Sequence, residues 1–511
     1  MNGRIFARVA FALGVAWLGA APLAAQGPGP GGGTATATPE GIAERLDPVV
    51  RGHRGTVGVA VYSVDRNLPL YLHEADESML PASNMKLYTT AAALDRLGPH
   101  FQFTTSLYAD GPLLPDGTLA GNLILAGRGD PTLSGRFFSD SVPYVFDVFA
   151  GELAEAGVRR VTGRLIGDAS YFDDRLVAPG WEEGNLLWWY GARVSALSFN
   201  DNVVTIEVTP GDWVGARARV AFVPPGKRLN VVNRIRTVSR RGGRAIGVER
   251  RPDLAGYEIW GRIPISSRPL RYVVAVDRPA SYALSVLRHR LSRAGISVVG
   301  RDQVVHDREF LPDRPRRLVA SHVSPPLIEL VRVVNKRSQN FFAEQLLKAL
   351  GAVVRGEGSF VAGRRVVEAF VREELGVMAE GLRVADGSGL SRLDRTTART
   401  TAEMLVAMRD HPWFDEWYDS LLIAGIDGDP RRLDDPDAVD NVRSKTGTLR
   451  GVSALSGYVT TRDGELLAFS VMTNGLPRGK SASIAIEDAV AERLASYSAW
   501  HPPLLQKDRG R

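Results

Sequence analysis

The sequence predicts an α+β fold in which one domain is interrupted by a long insertion. Residues 42–97 carry the pattern of a strand hairpin followed by a helix. Residues 98–315 are dominated by short strand patterns that Gly, Pro and Asp separate. Helical patterns and adjacent antiparallel strands return in residues 316–505. We therefore expect the first and last parts to form one domain around an inserted second domain.

The first elements of the outer domain show two different apolar periods. The segment "GTVGVAVYSVDRNLPLYLHEAD" (55–76) alternates apolar and polar residues about a D-R-N turn, which predicts two antiparallel strands. In residues 83–97, Leu87, Ala91 and Leu94 recur at helical spacing. A hairpin followed directly by an amphipathic helix is therefore expected.

The later elements follow from the same periods. Within the insertion, the one clear helical pattern is "PASYALSVLRHRLSRAG" (279–295). Helices are then predicted in "SPPLIELVRVVNKRSQNFFAEQLLKALG", "VAGRRVVEAFVREELG" and "TTARTTAEMLVAMRDH". The stretch 441–475 predicts two or three adjacent antiparallel strands, and a last helix is expected from about 481 to 499.

The N-terminus predicts export. Residues 1–25 place Arg4 and Arg8 before an apolar stretch and small residues up to Ala25, the order of a secretory signal peptide. An uncleaved anchor is the alternative, although the apolar stretch is short for a membrane span. Residues 26–41 are rich in Gly and Pro and predict a flexible linker. No later segment is apolar enough to span a membrane, so we expect an exported protein without a transmembrane span after cleavage.

Composition excludes several kinds of site. The chain has no cysteine, which excludes disulfides, a thiol nucleophile and cysteine metal sites. Its eight histidines lack ligand-pair spacing, so we expect no metal and no cofactor. Export without disulfides favours the periplasm or outer face of a bacterial envelope. The net charge is +6, and the basic stretch 233–251 contains no aromatic residue, which favours a solvated hairpin over nucleic-acid binding.

Three short motifs stand in order along the chain. Ser83 and Lys86 are one helical turn apart, in a chain that has only seven lysines among its 63 basic residues. Unlike arginine, lysine can act as a base once its pKa is lowered. Ser338 and Asn340 form an S-x-N motif near a helix start, and K-T-G occupies 445–447 on a predicted strand. S-x-x-K, S-x-N and K-T-G resemble the signature of active-site serine penicillin-recognising enzymes.

The resemblance extends from about residue 45 to 500. The stretches "LAGRGDPTL", "VTGRLIGDASYFD", "YGARVSALSFNDN", "DGSGLSR", "IAGIDGD" and "KTGTLRGVSALSGYV" are similar to one family. That family is the D-alanyl-D-alanine carboxypeptidase/endopeptidase group of class C penicillin-binding proteins. The resemblance implies a transpeptidase/β-lactamase-like domain, an antiparallel sheet flanked by helices. It also implies a large insertion between the first two motifs, with a nested smaller domain at about 205–272.

Peptidase chemistry assigns a role to each motif residue. Ser83 is the expected nucleophile and Lys86 its base, with the charge of Lys445 expected to lower the pKa of Lys86. Ser338 would pass a proton to the leaving amine, and Asn340 would hold Lys86 and a substrate amide. The backbone N–H groups of Ser83 and Thr448 would form the oxyanion hole. Lys445 and the hydroxyls of Thr446 and Thr448 would bind the free carboxylate of the substrate. Gly447, the other substrate-binding candidate, lies on the same predicted strand.

The resemblance further implies a pocket for the side chain of a meso-diaminopimelate residue. In this sequence the family positions correspond to Asp168 and Arg392, with Phe172 and Leu449 as apolar lining. The side chain ends in an ammonium and a carboxylate, which an acid and a base could bind. An ordinary ion pair between Asp168 and Arg392 across a domain junction is the alternative.

The function that the resemblance implies is a serine D-Ala-D-Ala carboxypeptidase. It would trim peptidoglycan stem peptides through an acyl-enzyme and be acylated by β-lactam antibiotics, with DD-endopeptidase activity left open. Two alternatives stay open: a β-lactamase or esterase on the same scaffold, and a catalytically silent penicillin-binding sensor. The sequence does not give the oligomeric state, and it gives no indication of nucleic-acid binding.

Overall fold

The structure is a computed structural model of the chain and describes residues 36–224, 230–251, 253, 256–477 and 479–499. The predicted signal peptide (1–25) and the first part of the predicted linker (26–35) lie outside the described residues.

Helices and strands are numbered in chain order. The strands are β1 Thr56–Ser63, β2 Leu68–His73, β3 Thr104–Ala109, β4 Thr118–Leu119, β5 Leu123–Ala126, β6 Arg160–Val161, β7 Leu165–Asp168, β8 Val203–Thr209, β9 Arg219–Val223, β10 Asn230–Val238, β11 Ala245–Arg251, β12 Gly256–Pro264, β13 Leu270–Ala275, β14 Ser297–Val298, β15 Gln303–Val305, β16 Arg317–Val323, β17 Leu422–Ile423, β18 Arg443–Leu449, β19 Val452–Thr460 and β20 Leu466–Asn474. The helices are α1 Pro39–Val50, α2 Met85–Leu97, α3 Tyr144–Glu155, α4 Pro279–Arg293, α5 Leu327–Arg337, α6 Asn340–Arg355, α7 Phe360–Ala369, α8 Ala398–Met408, α9 Phe414–Asp419 and α10 Gly479–Ala495.

A six-stranded antiparallel sheet joins the two ends of the chain, in the order β17-β18-β19-β20-β1-β2. Alternate residues of β1 point to opposite faces, as a pleated strand requires. Ala60 and Tyr62 pack with the core that α2 and α5 to α9 build, whereas Val59 and Val61 pack with α1 and α10. The predicted antiparallel sheet flanked by helices is therefore confirmed, and the predicted hairpin is β1 and β2.

Residues 104–323 build the other four sheets that the described part of the chain contains. Their orders are β15-β7-β5-β3-β16, β14-β6-β4, β13-β8-β9 and β10-β12-β11. They share an apolar core to which β5, α3, β8, β12 and α4 contribute Leu125, Phe146, Ile206, Ile259 and Leu287. The domain limits at 98 and 315, and the nested domain at 205–272, remain predictions.

Two expectations about local structure are wrong. Residues 39–41, predicted as the end of a flexible linker, form the first turn of α1, because Thr38 caps it through a 3.1 Å bond from Gly41 N to Thr38 Oγ1 and Pro39 suits the first helical position. The insertion contains α3 as well as α4. No side chain caps the start of α3, so only its buried apolar residues marked it in the sequence.

Candidate active site

Ser83 lies in a single 3₁₀ turn, Ala82–Asn84, that runs directly into α2. This turn puts Ser83 and Lys86 on one side of the helix, and Lys86 Nζ lies 2.9 Å from Ser83 Oγ. The turn is fixed to the central sheet, because the buried Asn84 Nδ2 donates to Ser456 Oγ of β19 at 2.6 Å. The first motif is therefore held against the central sheet.

The Lys86 amine is fully buried and touches three oxygen atoms. Besides Ser83 Oγ, it lies 2.7 Å from Asn340 Oδ1 and 2.6 Å from the carbonyl oxygen of Ser388. A protonated amine donates to all three atoms. A neutral amine can donate to Asn340 and Ser388 while its lone pair accepts the Ser83 hydroxyl proton. The same contacts therefore serve both protonation states that a base requires.

Burial lowers the pKa of Lys86 to about 8, and the negative charges of Asp386, Glu344 and Asp394 oppose part of that change. Burial also lowers the pKa of Lys445 well below its usual range, and the charge of Lys86 lowers it further. The expectation that the charge of Lys445 is the main cause of the lowered pKa of Lys86 is thus wrong. Desolvation of the lysine is the main cause, because the amine is enclosed completely.

The second motif lies at the junction of α5 and α6. Ser338 has a left-handed backbone with φ +53° between the two helices. Its Oγ accepts a 2.9 Å hydrogen bond from Lys445 Nζ, which also donates to its neighbour's carbonyl, Thr446 O, at 2.9 Å. Asn340 is the first residue of α6, and its Nδ2 donates to the carbonyl of Tyr190 at 2.8 Å. The fold therefore brings residues of all three motifs to one site.

The third motif lies on β18, next to the turn that carries Ser83. A Cβ atom on Gly447 would lie 2.9 Å from both Pro81 O and Ser83 N, so only glycine allows this close approach of strand and turn. Thr448 is exposed, and Thr446 and Leu449 are half-buried. The strand edge beside Ser83 is therefore open to a ligand.

Sequence reasoning missed the acidic network behind Lys86. Glu344, buried on α6, accepts backbone N–H bonds from Gly387 at 2.9 Å and from Ser388 at 2.8 Å. The buried Asp386 accepts N–H bonds from Gly389 at 2.6 Å and from Ser391 at 2.7 Å. These bonds fix the loop whose Ser388 carbonyl contacts Lys86. The motif D-G-S-G-L-S was the available signal, because an Asp before small residues is typical of such a turn.

The inserted region also contacts this loop. Trp181 Nε1 donates to Asp386 Oδ2 at 2.7 Å, and Ser391 Oγ donates to Pro179 O at 2.6 Å. Burial raises the pKa of Glu344 to about 8 and raises the pKa of Asp394 well above its usual value. The loop is therefore held by buried carboxyl groups on one side and by the segment around Trp181 on the other.

The candidates for the side-chain pocket have separate partners. The side chain of Asp168 is only 1% exposed; it accepts from Ser170 Oγ at 2.5 Å, and Arg128 Nη1 lies 3.4 Å away. Arg392 Nε donates to Glu182 at 3.0 Å, and its Nη2 donates to Arg450 O at 2.9 Å. No ion pair joins Asp168 to Arg392 within the described residues.

The apolar candidates differ in exposure. Phe172 is buried, close to Gly129 and Gly358, and its ring centroid lies 5.6 Å from Lys348 Nζ. Leu449 is half-buried on β18. The pocket assignment of these two residues and of Asp168 and Arg392 remains a prediction.

Two classes of feature are missing from the described part of the chain. Residues 36–224, 230–251, 253, 256–477 and 479–499 contain no group of three or more His, Asp and Glu side chains placed to hold a metal ion. Within the same residues, no helix combines the length and the apolar character needed to cross a membrane.

Comparisons with known proteins agree on one family. The sequence profile of the D-Ala-D-Ala carboxypeptidase 3 (S13) family matches residues 42–497. The chain is 35% identical over 503 residues to a D-alanyl-D-alanine carboxypeptidase from Actinomadura sp. (strain R39), covering 95% of this chain and 89% of that protein. It is 27% identical over 431 residues to the D-alanyl-D-alanine carboxypeptidase DacB of Haemophilus influenzae, covering 83% and 86%.

Solved structures give the same result. The crystal structure of penicillin binding protein 4 (dacB) from Haemophilus influenzae matches with a TM-score of 0.76 and 25% identity, covering 90% of this chain and 99% of that one. The same protein complexed with a β-lactam matches with a TM-score of 0.72 at the same identity and coverage. The predicted resemblance is therefore confirmed, and this chain belongs to the D-Ala-D-Ala carboxypeptidase 3 (S13) family of serine peptidases.

Proposed function

We propose that the protein hydrolyses the terminal D-Ala–D-Ala bond of peptidoglycan stem peptides through an acyl-enzyme on Ser83. One observation carries the proposal: the buried Lys86 amine lies 2.9 Å from Ser83 Oγ, and burial lowers its pKa to about 8. A hydroxyl so close to an amine that can lose its proton near neutral pH is the arrangement that an activated serine needs. Membership of the S13 family supports the same reaction.

In the acylation step, neutral Lys86 accepts the Ser83 hydroxyl proton as Oγ attacks the carbonyl carbon of the penultimate D-alanine. Negative charge then develops on the carbonyl oxygen. The backbone N–H groups of Ser83 and Thr448 are proposed to stabilise that charge, which the close approach of β18 at Gly447 supports. Asn340 Oδ1, 2.7 Å from Lys86 Nζ, holds the amine in place during the transfer.

The leaving D-alanine needs a proton on its amine. Ser338 Oγ, which accepts from Lys445 Nζ at 2.9 Å, is proposed to deliver it. The carboxylate of the substrate is proposed to bind Lys445 together with the hydroxyls of Thr446 and Thr448. A carboxylate there favours the charged form of Lys445, and the new positive charge then favours loss of the proton from Lys86. Water then attacks the acyl-enzyme with the proton transfers reversed: Ser338 passes the proton of the water to Lys445, and Lys86 returns its proton to Ser83 Oγ.

The side-chain pocket is proposed to distinguish substrates. Arg392 is anchored next to the loop that contacts Lys86, and its partner Glu182 is more than half exposed at 57%. A substrate carboxylate can therefore replace Glu182 as the partner of Arg392. Asp168 is proposed to attract the ammonium group, with Phe172 and Leu449 beside the apolar part.

Location and inhibition follow from the same family. The order of residues 1–25, which lie outside the described residues, supports export to the periplasm or the outer face of a bacterial envelope. A relative with a TM-score of 0.72 is complexed with a β-lactam. We propose that β-lactams acylate Ser83 here as well, and that the chain needs no metal or cofactor for its reaction.

The test measures two products from one preparation. A synthetic stem peptide ending in D-Ala–D-Ala should release D-alanine catalytically, whereas nitrocefin should be hydrolysed only slowly, because the acyl-enzyme that it forms persists. Fast nitrocefin turnover without D-alanine release would identify a β-lactamase. Covalent labelling by penicillin without turnover of either substrate would identify a silent sensor. A cross-linked dimer of stem peptides in the same assay measures endopeptidase activity.

A further inference from the structure

One end of the small sheet β10-β12-β11 collects arginines from several segments. Near the C-terminal ends of the parallel strands β10 and β12, Arg236 lies opposite Arg262. The turn 239–244, which follows β10, lies at this end of the sheet. The chain that follows β12 also lies there, because Ile265 N donates a 2.9 Å hydrogen bond to Val238 O. The backbone of Arg217 also pairs with that of Arg236 in an isolated antiparallel β-bridge. The arginine tip is formed by Arg217, Arg236, Arg240, Arg241, Arg244, Arg262 and Arg268.

The arginine tip carries positive charge that no acidic side chain among the described residues neutralises. All seven side chains are exposed, and none of them makes an ion pair with any residue of the described chain. Nearby arginines behave differently. Arg234 in the middle of β10 and Arg251 at the far end of β11 bind Glu258, at 2.8 and 2.5 Å. The contrast shows that the acidic side chains of this sheet lie away from the tip.

Apolar side chains are exposed beside the same arginines. Trp213 and Val214 are 66% and 56% exposed, in a turn that a 2.8 Å bond from Gly215 N to Thr237 O holds against β10. Trp260, two residues before Arg262 on β12, is 41% exposed. The stretch 233–251 has no aromatic residue of its own, so only the fold brings tryptophan to this basic surface.

We propose that the arginine tip docks the protein on an anionic phospholipid surface. Unpaired arginines attract anionic headgroups, and tryptophan is favoured at the boundary between headgroups and acyl chains. A soluble polyanion would use the arginines but would leave Trp213 and Val214 in water. The combination of both features therefore favours a lipid surface. No residue of the tip belongs to the proposed catalytic site, so docking and peptide hydrolysis can be measured separately.

The test uses the purified full chain and lipid vesicles of stated composition. Vesicles of phosphatidylglycerol and phosphatidylcholine are sedimented with the protein at low and at physiological salt. Arg240, Arg241 and Arg244 are replaced together by Ser, and the control replaces Arg301, Arg314 and Arg317, which are exposed and unpaired elsewhere. A second pair compares Trp213→Ser with Phe310→Ser, whose ring is also exposed. All variants share the same N-terminal residues, so any difference in vesicle binding between them comes from the substituted side chains.

We expect binding to phosphatidylglycerol that salt weakens, and little binding to phosphatidylcholine. The tip triple variant should bind about a hundredfold more weakly and the control triple variant like the unaltered protein. Trp213→Ser should weaken binding several-fold, unlike Phe310→Ser. Normal D-alanine release by each variant shows that it is folded. Absence of binding to phosphatidylglycerol, or equal losses in tip and control variants, would overturn the proposal. So would tip-dependent binding to inorganic polyphosphate that Trp213→Ser does not affect, which would identify a soluble polyanion as the ligand.

Discussion

Two buried lysines flank the proposed reaction site, and their surroundings differ. Three buried carboxyl groups, those of Glu344, Asp386 and Asp394, lie near Lys86. Their charges raise the pKa of Lys86 and so partly offset the lowering by burial. The pKa of Lys445 is lowered by burial and further by the charge of Lys86, with no opposing carboxyl group among the described residues. Both causes therefore lower the pKa of Lys445, whereas for Lys86 the carboxyl charges oppose the effect of burial.

This difference supports the proposal that one site holds both a base and a proton donor. The acidic network next to Lys86 favours the charged form of this amine. In the proposed reaction, a substrate carboxylate on β18 favours the charged form of Lys445, and that charge favours loss of the proton from Lys86. The proposed roles of the two lysines therefore depend on carboxyl groups of the chain beside Lys86 and on a carboxylate that the substrate would bring to Lys445.

The largest effect should come from removing the base. Lys86→Met keeps the length of the side chain but removes the proton acceptor of Ser83, so acylation by penicillin should slow by about a thousandfold. Lys348→Met is the matched control, because Lys348 is equally buried but binds Asp173 and the carbonyl of Arg175 instead of a motif residue. We expect this control to lower the melting temperature and to keep acylation nearly normal. Similar acylation rates in the two variants would contradict a special role for Lys86.

Lys445→Arg tests the other side of the comparison. Arginine keeps the positive charge but does not exchange its proton, and its larger planar head must fit a site where Lys445 is buried. Turnover of the D-Ala–D-Ala peptide should fall by at least about a hundredfold. Steady-state D-alanine release measures it, with thermal unfolding as the check on folding. Near-normal turnover would mean that Lys445 supplies charge alone.

The pH dependence of acylation sharpens the comparison. Because the neutral amine is the base, the rate should rise with pH through the pKa of Lys86, about 8. Glu344→Gln removes a carboxyl group whose ionised form raises this pKa, so the midpoint should move to lower pH. Glu329→Gln, at a half-buried position on α5 where the carboxyl binds Arg332, should leave the midpoint in place. A shift to higher pH in Glu344→Gln would contradict the proposed influence of the network on Lys86.

The smallest effect concerns substrate choice. If Arg392 binds the free carboxylate of diaminopimelate, substrates with that group should be preferred roughly tenfold to a hundredfold over substrates with a capped lysine. Arg392→Ala should reduce this preference and leave the rate on the capped substrate nearly unchanged. Glu182→Gln, which removes the present partner of Arg392, should keep or increase the preference. Equal losses on both substrates in Arg392→Ala would remove Arg392 from the pocket.

The sequence predicted local patterns well and electrostatic surroundings poorly. The hairpin, α2 and the three motifs depend on residues close together in the chain, so apolar period and spacing were enough to find them. The acidic network depends on contacts between Glu344 and residues more than forty positions away, which no local pattern contains. The main cause of the lowered pKa of Lys86 is its complete burial, and the extent of burial is set by packing of the whole fold.

The same limit applies away from the site. Thr38 and Pro39 could have indicated the start of α1, but the Gly- and Pro-rich segment before them concealed it. The prediction of a solvated hairpin for the basic stretch 233–251 is wrong, because β12 lies between β10 and β11 and pairs with both. The proximity of this stretch to Trp213 and Trp260 depends on that strand pairing, which no local pattern contains.

The most direct test of the central claim is to map the penicillin adduct. The protein is incubated with penicillin, digested, and the modified peptide is identified by mass spectrometry. We expect a single penicilloyl group on the peptide that contains Ser83, and we expect Ser83→Ala to abolish labelling while its thermal unfolding stays nearly unchanged. An adduct on Ser338, or stoichiometric labelling of Ser83→Ala, would contradict the assignment of Ser83 as the nucleophile.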